Sequence, residues 1–208
     1  MNLPNKLTMF RILMVPVFLV LLCVPLPIGD TALRILTAAV FAVTSLTDMI
    51  DGKIARKYNL ITDFGKFMDP LADKFLVMAA MLGILVKFDD LRPVFVWAAV
   101  VVIFREFAVT SIRLIASAKG EVIAANMWGK VKTVTQMIAI IAIIVFRAAY
   151  DITLMLLPSS IAQSADFTAA ANGWLFLGGE ALVWISTVFA IISGVIYLAQ
   201  NRHFISEK

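Results

Sequence analysis

The sequence predicts an all-α integral membrane protein with six transmembrane helices, a short N-terminal interfacial helix and both termini on the cytoplasmic side. Three observations predict it. Apolar residues make up 62% of the chain and charged residues 15%, with a mean hydropathy of +0.95. That composition excludes a disordered chain and does not suit a soluble domain. The apolar residues fall into runs long enough to cross about 30 Å of hydrocarbon, and Lys and Arg gather at alternate ends of those runs.

The runs lie at about 9 to 26, 32 to 56, 69 to 88, 92 to 117, 131 to 157 and 174 to 199. With 208 residues and no linker or low-complexity tract, residues 1–208 read as a single membrane domain. Ahead of the first run, Asn2 to Arg11 is mixed polar and apolar, which suits a short interfacial helix, and Asn5 or Thr8 can cap the first span. Lys6 and Arg11 before an apolar stretch resemble a signal peptide, but no small-residue cleavage site comes after it. Pro25-Leu26-Pro27-Ile28-Gly29 reads as a turn after a retained span.

Charge distribution sets the orientation. The second connection carries Lys53, Arg56, Lys57, Lys66 and Lys74, and the fourth carries Arg113, Lys119, Lys130 and Lys132. The turn near 27 to 34 has only Arg34, and the stretch from Leu157 to Trp174 has no basic residue. Both basic connections are therefore expected at the cytoplasm. The net charge of +4 reflects this placement and does not point to nucleic acid. One cysteine, Cys23, cannot form an intramolecular disulfide, and the one histidine, His203, sits in the polar tail. Redox chemistry and mechanisms built on paired histidines have no residues to use.

Between the second and third runs stand four aspartates, in the order Asp48-x2-Asp51-Gly52-x2-Ala55-Arg56-x8-Gly65-x3-Asp69-x3-Asp73. A charge at membrane depth costs about 2.5 to 3.5 kcal/mol on insertion scales, so a cluster of them needs a cavity or bound cations. Helical periodicity puts Asp48, Asp51, Gly52 and Ala55 on one face at the end of helix two, with Arg56 at its edge. Gly65, Asp69 and Asp73 are spaced i,i+4 along the start of helix three. A short connection folds the two faces together. Carboxylate oxygens with no His or Cys nearby select Mg²⁺ or Mn²⁺, with two ions the natural count. A two-metal clamp suits phosphoryl displacement. The small residues on the acidic faces leave room for a bulky ligand.

This run matches the full signature of the CDP-alcohol phosphotransferase family, at eight positions over twenty-six residues, and so resembles those six-helix membrane enzymes. The resemblance implies that Asp48, Asp51 and Asp69 ligate the metal pair, with Asp73 a bridging ligand or the general base. It implies that Gly52, Ala55, Arg56 and Gly65 shape the site for the cytidine diphosphate moiety of CDP-diacylglycerol, and that Asn5 and Thr8 help bind this donor. It further implies attack of an acceptor hydroxyl on the diacylglycerol-bearing phosphorus with loss of CMP, a homodimer, and a bacterial cell membrane with the site at its cytoplasmic face.

The acceptor is addressed by a second cluster: Arg105, Arg113, Lys130 and Lys132. Arg105 and Arg113 are about 80° apart on a helix, so one pocket can hold both. Lys130 and Lys132 are about 160° apart, so only one should point inward. Two or three cations suit an acceptor that carries a phosphate, and Glu106 is placed to neutralise Arg105. The stretch from Arg105 to Gln136, with Pro4 to Thr8 and Arg11, resembles bacterial members of the family whose acceptor is glycerol 3-phosphate. Inositol phosphate and phosphatidylglycerol are the alternative acceptors. A membrane prenyltransferase should carry its aspartates on well-separated helices of a longer chain, and a divalent-cation transporter should carry them mid-span.

Overall fold

The computed structural model describes residues 2–57, 63–121, 123, 127–162 and 164–204. Side chains at 4, 48–57, 63–67, 69–70, 73, 159, 162, 165 and 176–177 lie outside that description. Among the described residues every regular element is helical: α1 (Leu3–Cys23), α2 (Asp30–Lys57), α3 (Asp63–Lys87), α4 (Arg92–Ala118), α5 (Met127–Leu156), α6 (Ser159–Ala162), α7 (Ala165–Phe176) and α8 (Leu182–Gln200). A π-helical turn, Leu177–Ala181, joins α7 to α8, and a 3₁₀ turn, Arg202–Phe204, follows α8.

Two boundaries differ from the sequence-based expectation. No separate interfacial helix precedes the first span, because residues 3–23 form one helix. Asn2 is its cap and accepts from the Asn5 amide at 3.3 Å, with a proline in the first turn. A capped start with nothing to break the next two turns propagates straight into the apolar run. Asn5 and Thr8 are thus buried positions inside α1, not caps. At the other end of the chain, helix begins at Ala165, well before the expected 174, and continues through the π turn to Gln200.

The long helices close into a ring. α1 packs on α2 and α3, α2 on α5, α5 on α8, α8 on α4, and α4 on α3. The shared core takes Val15 and Phe18 from α1, Phe41 from α2, Ala80 and Ile84 from α3, Ala98 and Val102 from α4, Ile140 and Ile144 from α5, and Ala190 from α8. Small residues let backbones approach where α3 meets α4 and where Gly83 meets Leu19 and Leu22. The outward face is apolar, with Trp97, Phe104, Leu156 and Trp174 each about 70% exposed or more. Five helical segments are long and apolar enough to cross a membrane. α3 completes the ring, but its apolar run begins only after Lys74. The molecule is a multi-pass membrane protein.

One end of the bundle is locked by paired charges. Arg34 reaches Asp151 at 2.9 Å, Arg147 pairs with Asp90 and Arg92 with Asp89. Phe88 lies between two guanidiniums, 5.9 Å from Arg34 and 5.1 Å from Arg147. The acid-bearing ends of α2 and α3 are at the opposite end.

The π turn is closely packed against α5. A Cβ at Gly178 would stand 2.5 Å from a Phe146 ring carbon, so a larger residue there must displace that ring. Gly178→Val should lower the thermal midpoint in detergent by the equivalent of about 1 to 3 kcal/mol. Adding Phe146→Ala should recover part of the loss, and Gly173→Ala, which meets nothing within 4 Å, should cause none.

Candidate functional site

α2 carries Asp48, Asp51, Gly52, Ala55 and Arg56 in its last turns, and α3 carries Gly65, Asp69 and Asp73 in its first. Their side chains lie outside the described residues, but helix register fixes the level of their backbones. Phe18 of α1 meets Phe41 of α2 with ring centroids 5.3 Å apart. The two helices are antiparallel, so ten residues back from Phe18, at Thr8, corresponds to ten residues on, at Asp51. Leu22 meets Gly83 of α3, which runs parallel to α1, and fourteen residues back along both gives Thr8 and Asp69. At equal rise per residue, Thr8, Asp51 and Asp69 share one level of the bundle.

The face of α1 at that level is polar and closed. Asn5, Thr8 and Arg11 are buried, in line with Val15, Phe18 and Leu22 further along the same stripe. α2 turns polar one turn before Asp48: Thr44 donates to the Val40 carbonyl at 2.6 Å, Thr47 donates to the Thr44 carbonyl, and Ser45 is buried. The donor chemistry at this level fits a hard divalent ion, since the acids supply only oxygen. The sulfur of Cys23 is at the far end of α1, bonded to the Gly83 carbonyl, and His203 is exposed against Phe204.

Beside the acids, α3, α4 and α5 enclose a small cavity of about 20 Å³, lined by Lys74, Val77, Met78, Glu106, Lys132 and Thr133 among others. Glu106 organises it. Its Oε1 accepts from Arg105 Nη1 at 2.8 Å and from Lys132 Nζ at 2.5 Å. Lys74 bonds the Thr110 hydroxyl, which in turn donates to the Glu106 carbonyl at 2.7 Å. Three cations from three helices are thus gathered within reach of one carboxylate.

Of the four basic residues singled out in the sequence, Arg105 and Lys132 are brought together through Glu106. Lys132 is 4% exposed while Lys130 is on the exposed side of α5, so Lys132 is the inward member of that pair. Arg113 lies further along α4, where its Nε donates to the Tyr197 hydroxyl at 3.2 Å and its guanidinium stands 5.5 Å from that ring. Lys74, Thr110, Ser193 and Tyr197 belong to the same contact network and were not singled out by sequence reasoning as part of the basic cluster. In the sequence Lys74 counts only toward membrane orientation, although its place next to Asp73 is the available signal.

Acids and cations thus collect at one end of an all-helical, multi-pass membrane bundle, which defines a membrane protein built to handle anionic groups. A family model for CDP-alcohol phosphatidyltransferases matches residues 1–192, and the chain belongs to that family of enzymes. It is 39% identical over 208 residues to the CDP-diacylglycerol--glycerol-3-phosphate 3-phosphatidyltransferase of Bacillus subtilis, covering 96% of this chain and 95% of the relative. It is 33% identical to the protein of the same name from Rickettsia bellii, covering 98% and 97% of the two chains. With the probable phosphatidylglycerophosphate synthase of Mycobacterium tuberculosis (strain H37Rv) it shares 43% identity over 141 residues, 67% of this chain and 64% of that one.

Breaking a buried ion pair from one side leaves an uncompensated charge and costs about 3 to 5 kcal/mol. Lys132→Ala should therefore lower the thermal midpoint in detergent clearly, whereas Lys130→Ala should stay within about 0.5 kcal/mol of wild type.

Proposed function

We propose that the chain crosses the bacterial cell membrane six times as a single domain, residues 1–208, with both termini and the acid-bearing end at the cytoplasm. There it transfers the phosphatidyl group of CDP-diacylglycerol to glycerol 3-phosphate, giving phosphatidylglycerol phosphate and CMP. Family membership and the names of its relatives support the donor and acceptor. The observation that carries the acceptor is the group of Lys74, Arg105 and Lys132 around Glu106, next along α3 from Asp73. A cluster of three cations suits an acceptor that brings a phosphate. Serine or choline would bring none. A homodimer is the assembly that the family resemblance supports.

Asp48, Asp51, Asp69 and Asp73 would hold two divalent ions, Mg²⁺ or Mn²⁺. When bound, the pair neutralises the donor diphosphate and stabilises both the entering and the leaving oxygen. Gly52, Ala55 and Gly65 leave space for the cytidine diphosphate, and Arg56 pairs with its phosphates. Asn5 and Thr8, at the level of Asp51 and Asp69, present polar groups to the same donor. Arg105, Lys132 and Arg113 hold the acceptor phosphate, with Lys130 at the rim, so that the acceptor hydroxyl points at Asp73. Asp73 removes the hydroxyl proton as the oxygen attacks phosphorus and CMP leaves. Fixing both substrates beside the base converts a bimolecular encounter into an oriented one.

Purified protein with Mg²⁺ should release CMP from CDP-diacylglycerol only when glycerol 3-phosphate is added, and phosphatidylglycerol phosphate should be the product. Turnover on inositol phosphate, inositol, serine or phosphatidylglycerol in preference to glycerol 3-phosphate would overturn the acceptor. Asp73→Asn should lose at least about a hundred-fold in kcat. Near wild-type turnover would remove Asp73 from both of its roles. Arg113→Ala should raise the KM for glycerol 3-phosphate far more than the KM for CDP-diacylglycerol, and equal effects would take Arg113 out of the acceptor pocket.

A further inference from the structure

Arg105 extends from α4 toward α8 and is held at each of its outer nitrogens. Nη1 donates to Glu106 Oε1 at 2.8 Å and Nη2 donates to Ser193 Oγ at 2.8 Å. The Ser193 hydroxyl donates its own proton to the Ala190 carbonyl at 3.1 Å, so toward the guanidinium it acts only as an acceptor. The arginine stem rests on Gly194, where an added Cβ would stand 2.9 Å from Cγ and 3.8 Å from Nε. Cγ is near the root of the side chain, so a methyl at 194 would move the whole arginine. Beyond Gly194 the seam between α4 and α8 opens into an apolar groove of about 140 Å³ lined by Val101, Phe104, Ala108, Val195 and Leu198. Among the described residues that line this groove, an arginine released from Ser193 meets only apolar side chains.

These contacts form one chain across three helices. Ser193 on α8 holds Arg105 on α4, Arg105 shares Glu106 Oε1 with Lys132, and Lys132 belongs to α5. We infer that Ser193 and Gly194 are positioning residues of the acceptor subsite. They fix the Arg105 guanidinium, and through Glu106 the Lys132 ammonium, in the geometry that receives the acceptor phosphate. This rests on the assignment of Arg105 and Lys132 to that phosphate. Neither α8 residue touches substrate.

The test is steady-state kinetics of the purified enzyme with CDP-diacylglycerol in mixed micelles and glycerol 3-phosphate in solution. Ser193→Ala should raise the KM for glycerol 3-phosphate about ten-fold, the effect of losing one hydrogen bond to a charged group. It should leave the KM for CDP-diacylglycerol unchanged, and Ser193→Thr, which keeps the hydroxyl, should recover most of the loss. Gly194→Ala should act in the same direction and carries the test if Ser193→Ala does not purify. Ser193→Ala added to Arg105→Ala should have no further effect. Ser186→Ala is the control, because that hydroxyl donates to the Val183 carbonyl of its own helix. An equal change in both KM values, or a full Ser193 effect on top of Arg105→Ala, would overturn the inference. If Arg105→Ala raised the acceptor KM while Ser193→Ala and Gly194→Ala did not, the positioning role alone would fail. If Arg105→Ala changed only the donor KM, the assignment of Arg105 to the acceptor would fail first.

Discussion

Removing charge from water is what the rest of this structure is arranged around. A lipid-facing bundle has no solvent to stabilise stray ions, so each charged side chain must reach an opposite charge, a dipole, a ligand or the interface. At one end the requirement is met by closed pairs: Arg34 with Asp151, Arg147 with Asp90, Arg92 with Asp89. The opposite end is arranged differently. Among the described residues Lys74, Arg105 and Lys132 gather near a single carboxylate, and the four aspartates stand on the adjoining helix ends. The first end is closed by pairs between charged side chains, while the second gathers cations around one carboxylate beside the acid-bearing helix ends.

The ring of helices explains how residues so far apart in sequence share that end. Because α1 contacts both α2 and α3, the polar stripe of Asn5, Thr8 and Arg11 is carried to the level of the aspartates without any contribution from loops. α4 bridges α3 and α8 through its two faces. Thr110 turns to Lys74 on one side, and Arg105 turns to Ser193 on the other. Both hydroxyls spend their proton on a carbonyl of their own or a neighbouring turn and so present lone pairs to a cation. Rigid helices with hydroxyls used in this way fix long basic side chains more firmly than surface loops would.

Much of this was legible in the sequence because the bilayer imposes a simple code. Apolar runs of spanning length and the bias of Lys and Arg gave the helical bundle, and the cost of charge singled out the aspartates. The pairing of Arg105 with Glu106, and the opposition of Lys130 and Lys132, came from periodicity on one helix. What periodicity does not carry is contact between helices. Ser193 and Gly194 read as small residues in an apolar span, and only the seam with α4 gives them a cation to hold. The continuity of α1 is hidden for another reason. Mixed polar composition ahead of an apolar run suggests an interfacial segment, but here Asn5, Thr8 and Arg11 turn inward to the site while Lys6 and Phe10 face out.

A carboxylate among cations that are to bind phosphate looks counterproductive until charge is counted. Lys74, Arg105 and Lys132 bring three positive charges around the single negative charge of Glu106. A phosphate monoester carries about −1.5 to −2 at neutral pH, so on the acceptor reading it would meet more cations than carboxylates among these four residues. Glu106 offsets the mutual repulsion of cations gathered around a cavity of about 20 Å³. Arg105 and Lys132 are drawn to its same oxygen, while Arg105 is also held from α8 by Ser193. Glu106 thereby ties α4 to α5, one carboxylate oxygen being shared by cations from two helices.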